Sequence, residues 1–142
     1  MSRPPVASTS IRYAGVVALA AAILYASIIE PGGVPRTFLG VGVTVYLHLA
    51  AYGGLSAALG YAVLAADRRT LLGVALVATA YGACIELLQG TIPHRTMAGS
   101  DVIVNAVGAA IGAGLWRVLA PRFGVVADCR SPADGGDPDD RR

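Results

Sequence analysis

Four long apolar stretches dominate the pattern of this chain. They run over Tyr13–Ile29, Val41–Ala66, Leu71–Gln89 and Val102–Ala120. A helix crossing a bilayer needs about 20 consecutive apolar residues, with a range of about 17–25. Each stretch meets or nearly meets that length, so four membrane-spanning helices are expected. The gaps between them carry turn residues and charges. They are Glu30-Pro31-Gly32-Gly33-Val34-Pro35-Arg36, then Asp67-Arg68-Arg69, then Thr91 to Asp101. Such punctuation marks helix ends. The fold expected is therefore an all-α membrane bundle. Residues 1–12 form an N-terminal segment, 13–120 the membrane domain, and 121–142 a tail.

Arginine placement orients the bundle, because positive charge near helix ends favours the cytoplasmic side. Arg3, Arg12, Arg68, Arg69, Arg117 and Arg122 fall on one side, whereas Arg36 and Arg95 fall on the other. Both termini are then cytoplasmic, and the first and third loops face outward. Small residues at Ala20-Ala21-Ala22 leave open a cleaved leader in place of the first span. The apolar run is long for a leader, and the placement of the other three spans does not depend on the choice.

Composition supports this picture. Of 142 residues, 55% are hydrophobic and 14% charged, where a soluble domain carries roughly 25% charged. Mean hydropathy is +0.62. A net charge of +2 without a basic stripe excludes nucleic acid as the expected partner; the bilayer itself is the first one. The tail, with Asp134, Asp137, Asp139 and Asp140 among Gly and Pro, cannot bury a core and is expected to be disordered. Cys84 and Cys129 do not form a disulfide framework, and Cys84 reads as a small buried residue. Tyr13, Tyr25 and Trp116 suit interfacial anchoring. Gly108 and Gly112 read as a packing face that lets helices approach closely.

Against this apolar background one polar constellation stands out. Glu86, Gln89, Arg95, Asp101 and Asn105 fall within 20 positions, across the end of the third span and the start of the fourth. Helix rise adds to it. His48 lies roughly 10 Å down the second span, and Tyr52 lies one turn deeper. All these side chains map to the outer half of the bundle. Glu86 and Gln89 are three apart, whereas Asp101 and Asn105, like His48 and Tyr52, are four apart, so each helix carries one polar stripe. The stripes should face one another, because unsatisfied polar groups in hydrocarbon are expensive. Ionisable groups at membrane depth are rare and functional by default.

At these residues a family resemblance appears. Glu86-x2-Gln89-x5-Arg95-x5-Asp101-x3-Asn105-x2-Gly108-x3-Gly112 resembles the signature of VanZ-like membrane proteins, and His48-x3-Tyr52 resembles their second-helix motif. The resemblance covers about Val41 to Leu119. It implies a small membrane bundle of a family named from a glycopeptide (teicoplanin) resistance protein. The family often has a lysine three residues before the histidine; Val45 stands there in this chain, and Arg36 is the basic group that could replace it from the loop.

The residue chemistry supports two readings from different classes. In the first, the cluster acts on, or shields, an anionic lipid or lipid-linked envelope precursor. Arg95 would grip the headgroup with its planar fork. Glu86 and His48 would exchange protons, or Glu86 and Asp101 would hold Mg²⁺ or Ca²⁺. Gln89, Asn105 and Tyr52 would orient these groups. A zinc site from His48, His94, Glu86 and Asp101 matches no zinc spacing. In the second reading the chain is a non-catalytic membrane module. Glu86 and Arg95 then close the third loop as an ion pair, Asp101 serves as a helix-start carboxylate, and a protein partner or a homo-oligomer stays open. Transport is the weaker class, because the sequence shows no inverted repeat and no polar path through the inner half.

Overall fold

The computed structural model describes residues 4–29, 37–92 and 99–125. Among them four α-helices form an up-down-up-down bundle: α1 (Thr9–Ile28), α2 (Val43–Val63), α3 (Arg68–Gln89) and α4 (Gly99–Leu119). All four are long and apolar enough to cross a membrane, in line with the four spans expected from the apolar pattern. The fourth passes into a 3-10 turn, Ala120–Phe123, so the packed chain continues past Ala120.

Just before α2 the chain departs from the expected continuous apolar span. Thr37–Phe38 (β1) and Val41–Gly42 (β2) pair antiparallel, with Thr37 opposite Gly42 and Phe38 opposite Val41. The two turn residues, Leu39 and Gly40, have φ of 50° and 78°. Positive φ at both central residues makes the tight turn that matches strand twist. Leu39 is an unusual occupant, since a side chain there meets its own backbone. The periodicity of the second span did not reveal this hairpin, because its residues are as apolar as the helix that follows.

The buried stripe of α4 comprises Asn105, Gly108, Ala109, Gly112, Ala113 and Trp116, at the three- and four-residue steps of one helix face. Most of it packs on α2, and α2 with α4 forms the most extensive contact in the bundle. Glycine is required at this crossing. A Cβ on Gly108 would come within 2.8 Å of the Leu49 carbonyl oxygen, and one on Gly112 would overlap the Gly53 carbonyl. The expected packing face is thus used inside the bundle. In lipid, where burial gives no hydrophobic drive, close van der Waals contact of this kind holds helices together.

The side of the bundle bearing the N-terminus is fastened by hydrogen bonds to helix-end carbonyls. Arg12 Nη1 donates to the carbonyls of Tyr61 (3.3 Å) and Ala62 (2.8 Å), placing positive charge at the C-terminal end of α2, where the helix dipole favours it. Trp116 Nε1 donates to the Ala65 carbonyl at 2.8 Å. Asp67 caps α3 by accepting from the Thr70 amide at 3.0 Å. Two expectations are corrected here. Trp116 is 3% exposed and packs against Tyr61 and Phe123, so it is a core residue and not an interfacial anchor; Tyr13 and Tyr25 are the exposed aromatics of α1. Cys84 is exposed on α3. A bundle immersed in hydrocarbon has an apolar outside, so a small apolar residue has no need of the core.

Candidate functional site

The opposite end of the bundle carries the polar groups. There α1 and α3 end while α2 and α4 begin. By helix rise, His48 lies ~8 Å from the start of α2, Glu86 ~5 Å from the end of α3, and Asn105 ~9 Å from the start of α4. Antiparallel neighbours thus deliver three polar stripes to one level.

His48 Nδ1 lies 2.9 Å from Asn105 Oδ1 and 3.9 Å from Glu86 Oε1. With the Asn105 oxygen accepting, the imidazole proton sits on Nδ1, and a neutral ring keeps its lone pair on Nε2. Glu86 is 2% exposed and Asn105 fully buried. Tyr52, also buried, meets the His48 ring edge-on, with centroids 5.8 Å apart. Asp101 sits in the first turn of α4, where a carboxylate suits the dipole, and accepts from the Ser100 hydroxyl at 3.4 Å.

One ligand atom each from His48, Glu86 and Asp101 lies within 4.8 Å of the other two. This mixed nitrogen and oxygen set could hold a divalent cation. Its two carboxylates fit the oxygen-ligand chemistry of Mg²⁺ or Ca²⁺ better than a tetrahedral zinc site.

Five of the seven residues singled out from sequence are therefore neighbours: His48, Tyr52, Glu86, Asp101 and Asn105. Gln89 bonds instead to α1. Its Nε2 donates to the Ser27 carbonyl at 2.9 Å, tying the end of α3 to the end of α1. Arg95, together with His94 and Arg36, lies outside the described residues.

Two further positions shape the site. Gly82 makes the cluster sterically feasible, since a Cβ there would come within 2.5 Å of Asn105 Nδ2 and 2.8 Å of Tyr52 Cε1. Ser27 supplies the α1 end of the Gln89 bond. No sequence signal marked Ser27, because the bond uses its backbone carbonyl, which every residue carries, while its hydroxyl donates to the Ile23 carbonyl at 2.8 Å. Gly82 is one of the recurring glycines of the chain that signal close helix approach.

The profile of the VanZ/LLP1 family matches residues 34–120, more than half of the chain. The chain belongs to the VanZ/LLP1 family. Every residue of the polar cluster lies inside the matched range, as do α2, α3 and α4, whereas α1 precedes it. With four helices of spanning length, this VanZ/LLP1 protein is a multi-pass membrane protein. No protein of curated function and no solved structure matches the chain.

Proposed function

We propose that the polar cluster faces outward and acts on, or shields, an anionic lipid or lipid-linked cell-envelope precursor. The observation that carries this reading is the convergence of His48, Glu86 and Asp101 from three different helices to within 4.8 Å. Ionisable groups at that depth are costly, and where they occur they mark functional sites. In this reading Arg95 holds the anionic headgroup. Glu86 exchanges protons with His48, or holds a cation with Asp101. Asn105 fixes the imidazole of His48, Tyr52 supports its ring, and Gln89 holds the rim. The outward orientation rests on the arginine distribution.

The test is mass spectrometry of total membrane lipids and lipid-linked precursors. The strains are the wild type, a deletion, and Glu86→Gln and Arg95→Ala variants matched for protein level. A species that changes in the deletion and in both variants supports the reading and names the substrate. Wild-type behaviour of both variants, in a strain whose deletion has a phenotype, refutes it.

A second reading has its own supporting observation. The His48–Asn105 and Gln89–Ser27 bonds each join two helices, as fasteners of a non-catalytic module that binds a protein or lipid would. Under that reading Glu86→Gln lowers abundance in proportion to phenotype.

A further inference from the structure

A groove of about 340 Å³ lies between α1 and α2 and reaches the end of α3. One wall is apolar and comes mainly from Leu19, Ile23 and Ala26 of α1. The facing wall alternates. Leu47 and Ala51 of α2 are apolar, while Thr44, His48 and Tyr52 recur every four residues as one stripe. Ser27 and Gln89 stand at the upper end, where α1 and α3 finish. From Thr44 to Tyr52, and from Ser27 to Leu19, the groove runs ~12 Å along the helices.

We propose that this groove seats one hydrocarbon chain of a membrane lipid, which enters sideways from the bilayer and brings its headgroup to Ser27, His48 and Gln89. Three observations favour that occupant. First, the helices forming the groove span the membrane, so hydrocarbon surrounds the opening. Leu47 at its edge is 57% exposed, and a chain reaches the groove without crossing water. Second, the α1 wall offers no polar partner along Leu19, Ile23 and Ala26. Buried water needs two to four such partners, so water is a poor filling along that wall, and an empty groove forfeits dispersion contacts. Third, polar atoms gather at the mouth and along a single stripe. That distribution suits an amphiphile and would be wasted on a small soluble anion. The wall supplied by α1 lies outside the residues matched by the family. The proposal deepens the reading of the outer cluster as a lipid site, and depends on it for the headgroup end; the chain seat is tested independently.

The experiment uses the full-length protein in phosphatidylcholine nanodiscs containing phosphatidylglycerol with a mid-chain diazirine. After photolysis, the labelled residues are mapped by mass spectrometry. The expected result is adduct formation on Leu19–Ser27 and Leu47–Ala51 roughly tenfold above that at Ile103 and Ile111, the ratio that about 1.4 kcal/mol of preference gives. Ile103 and Ile111 are exposed positions of α4 and report ordinary contact with surrounding lipid. Ala26→Trp, which fills the groove, should remove the excess, and Leu47→Trp at the exposed edge provides a second block should the first fold poorly. Equal labelling at all these sites overturns the proposal, as does an excess that survives both tryptophans. An excess retained in Glu86→Gln supports the seat even if lipid profiling shows that the cluster carries no chemistry, so the two failures are told apart.

Discussion

Glycine-to-alanine substitution offers a graded test of the α2–α4 crossing, because the same added methyl meets a backbone carbonyl at three sites and open space at a fourth. At Gly114 nothing lies within 4 Å of the new Cβ. At Gly53 the Gly108 carbonyl oxygen lies at 3.0 Å, and at Gly108 the Leu49 carbonyl oxygen lies at 2.8 Å. At Gly112 the methyl overlaps the Gly53 carbonyl. Every obstacle is backbone, which has no rotamer to move, so the helices themselves must separate. Helix propensity favours alanine by up to about 1 kcal/mol at each site and largely cancels when Gly112→Ala and Gly114→Ala, on one helix, are compared. Overpacking costs about 1–3 kcal/mol. Gly112→Ala is therefore expected to be about 1–3 kcal/mol less stable than Gly114→Ala, with Gly108→Ala and Gly53→Ala ranked between them. The assay is reversible unfolding in mixed micelles, read by helix content or steric trapping. Equal stability of the Gly112 and Gly114 variants, or a scrambled order, would refute the packing argument.

Two further expectations concern the ends of the helices. Gln89→Leu removes the bond to the Ser27 carbonyl and should cost about 0.6–2 kcal/mol; hydrogen exchange should rise selectively at the end of α1, and a uniform rise would assign the effect elsewhere. Asp67→Ala concerns acid stability. Asp67 is half-buried, and the hydrogen bonds from Thr70 hold its carboxyl below the usual aspartate value. A depressed folded-state pKa adds stability above the unfolded value of about 3.9 and loses it as pH falls through the folded one. The stability gap between wild type and Asp67→Ala should thus close as pH drops below about 4, and a gap independent of pH would sink the cap assignment.

Span count and type were legible because a membrane helix has a length set by bilayer thickness, and that length is visible as an uninterrupted apolar run. The convergence of Glu86, Asp101 and His48 was legible for a related reason: in an alternating bundle, distance from a helix end translates into depth at 1.5 Å per residue. Depth alone does not say which way a side chain faces. Gln89 shares the stripe of Glu86 by spacing, yet it reaches across to α1, because the end of α3 lies between two neighbours and the Ser27 carbonyl is within its reach. Trp116 resembles an anchor in sequence but fills the core beside Gly60, where a glycine leaves room for its ring. The hairpin before α2 was hidden because β1, β2 and the helix after them share one apolar composition, and only the positive φ at Leu39 and Gly40 separates them. The linear pattern thus determined the number of helices, the membrane and the level of the polar residues, since each follows from solvent and helix rise. Rotation of each helix about its axis, and with it the choice of partner for every polar side chain, was decided by backbone contacts such as Gly112 against Gly53. Those contacts are properties of two segments far apart in the chain and appear only when both are in place.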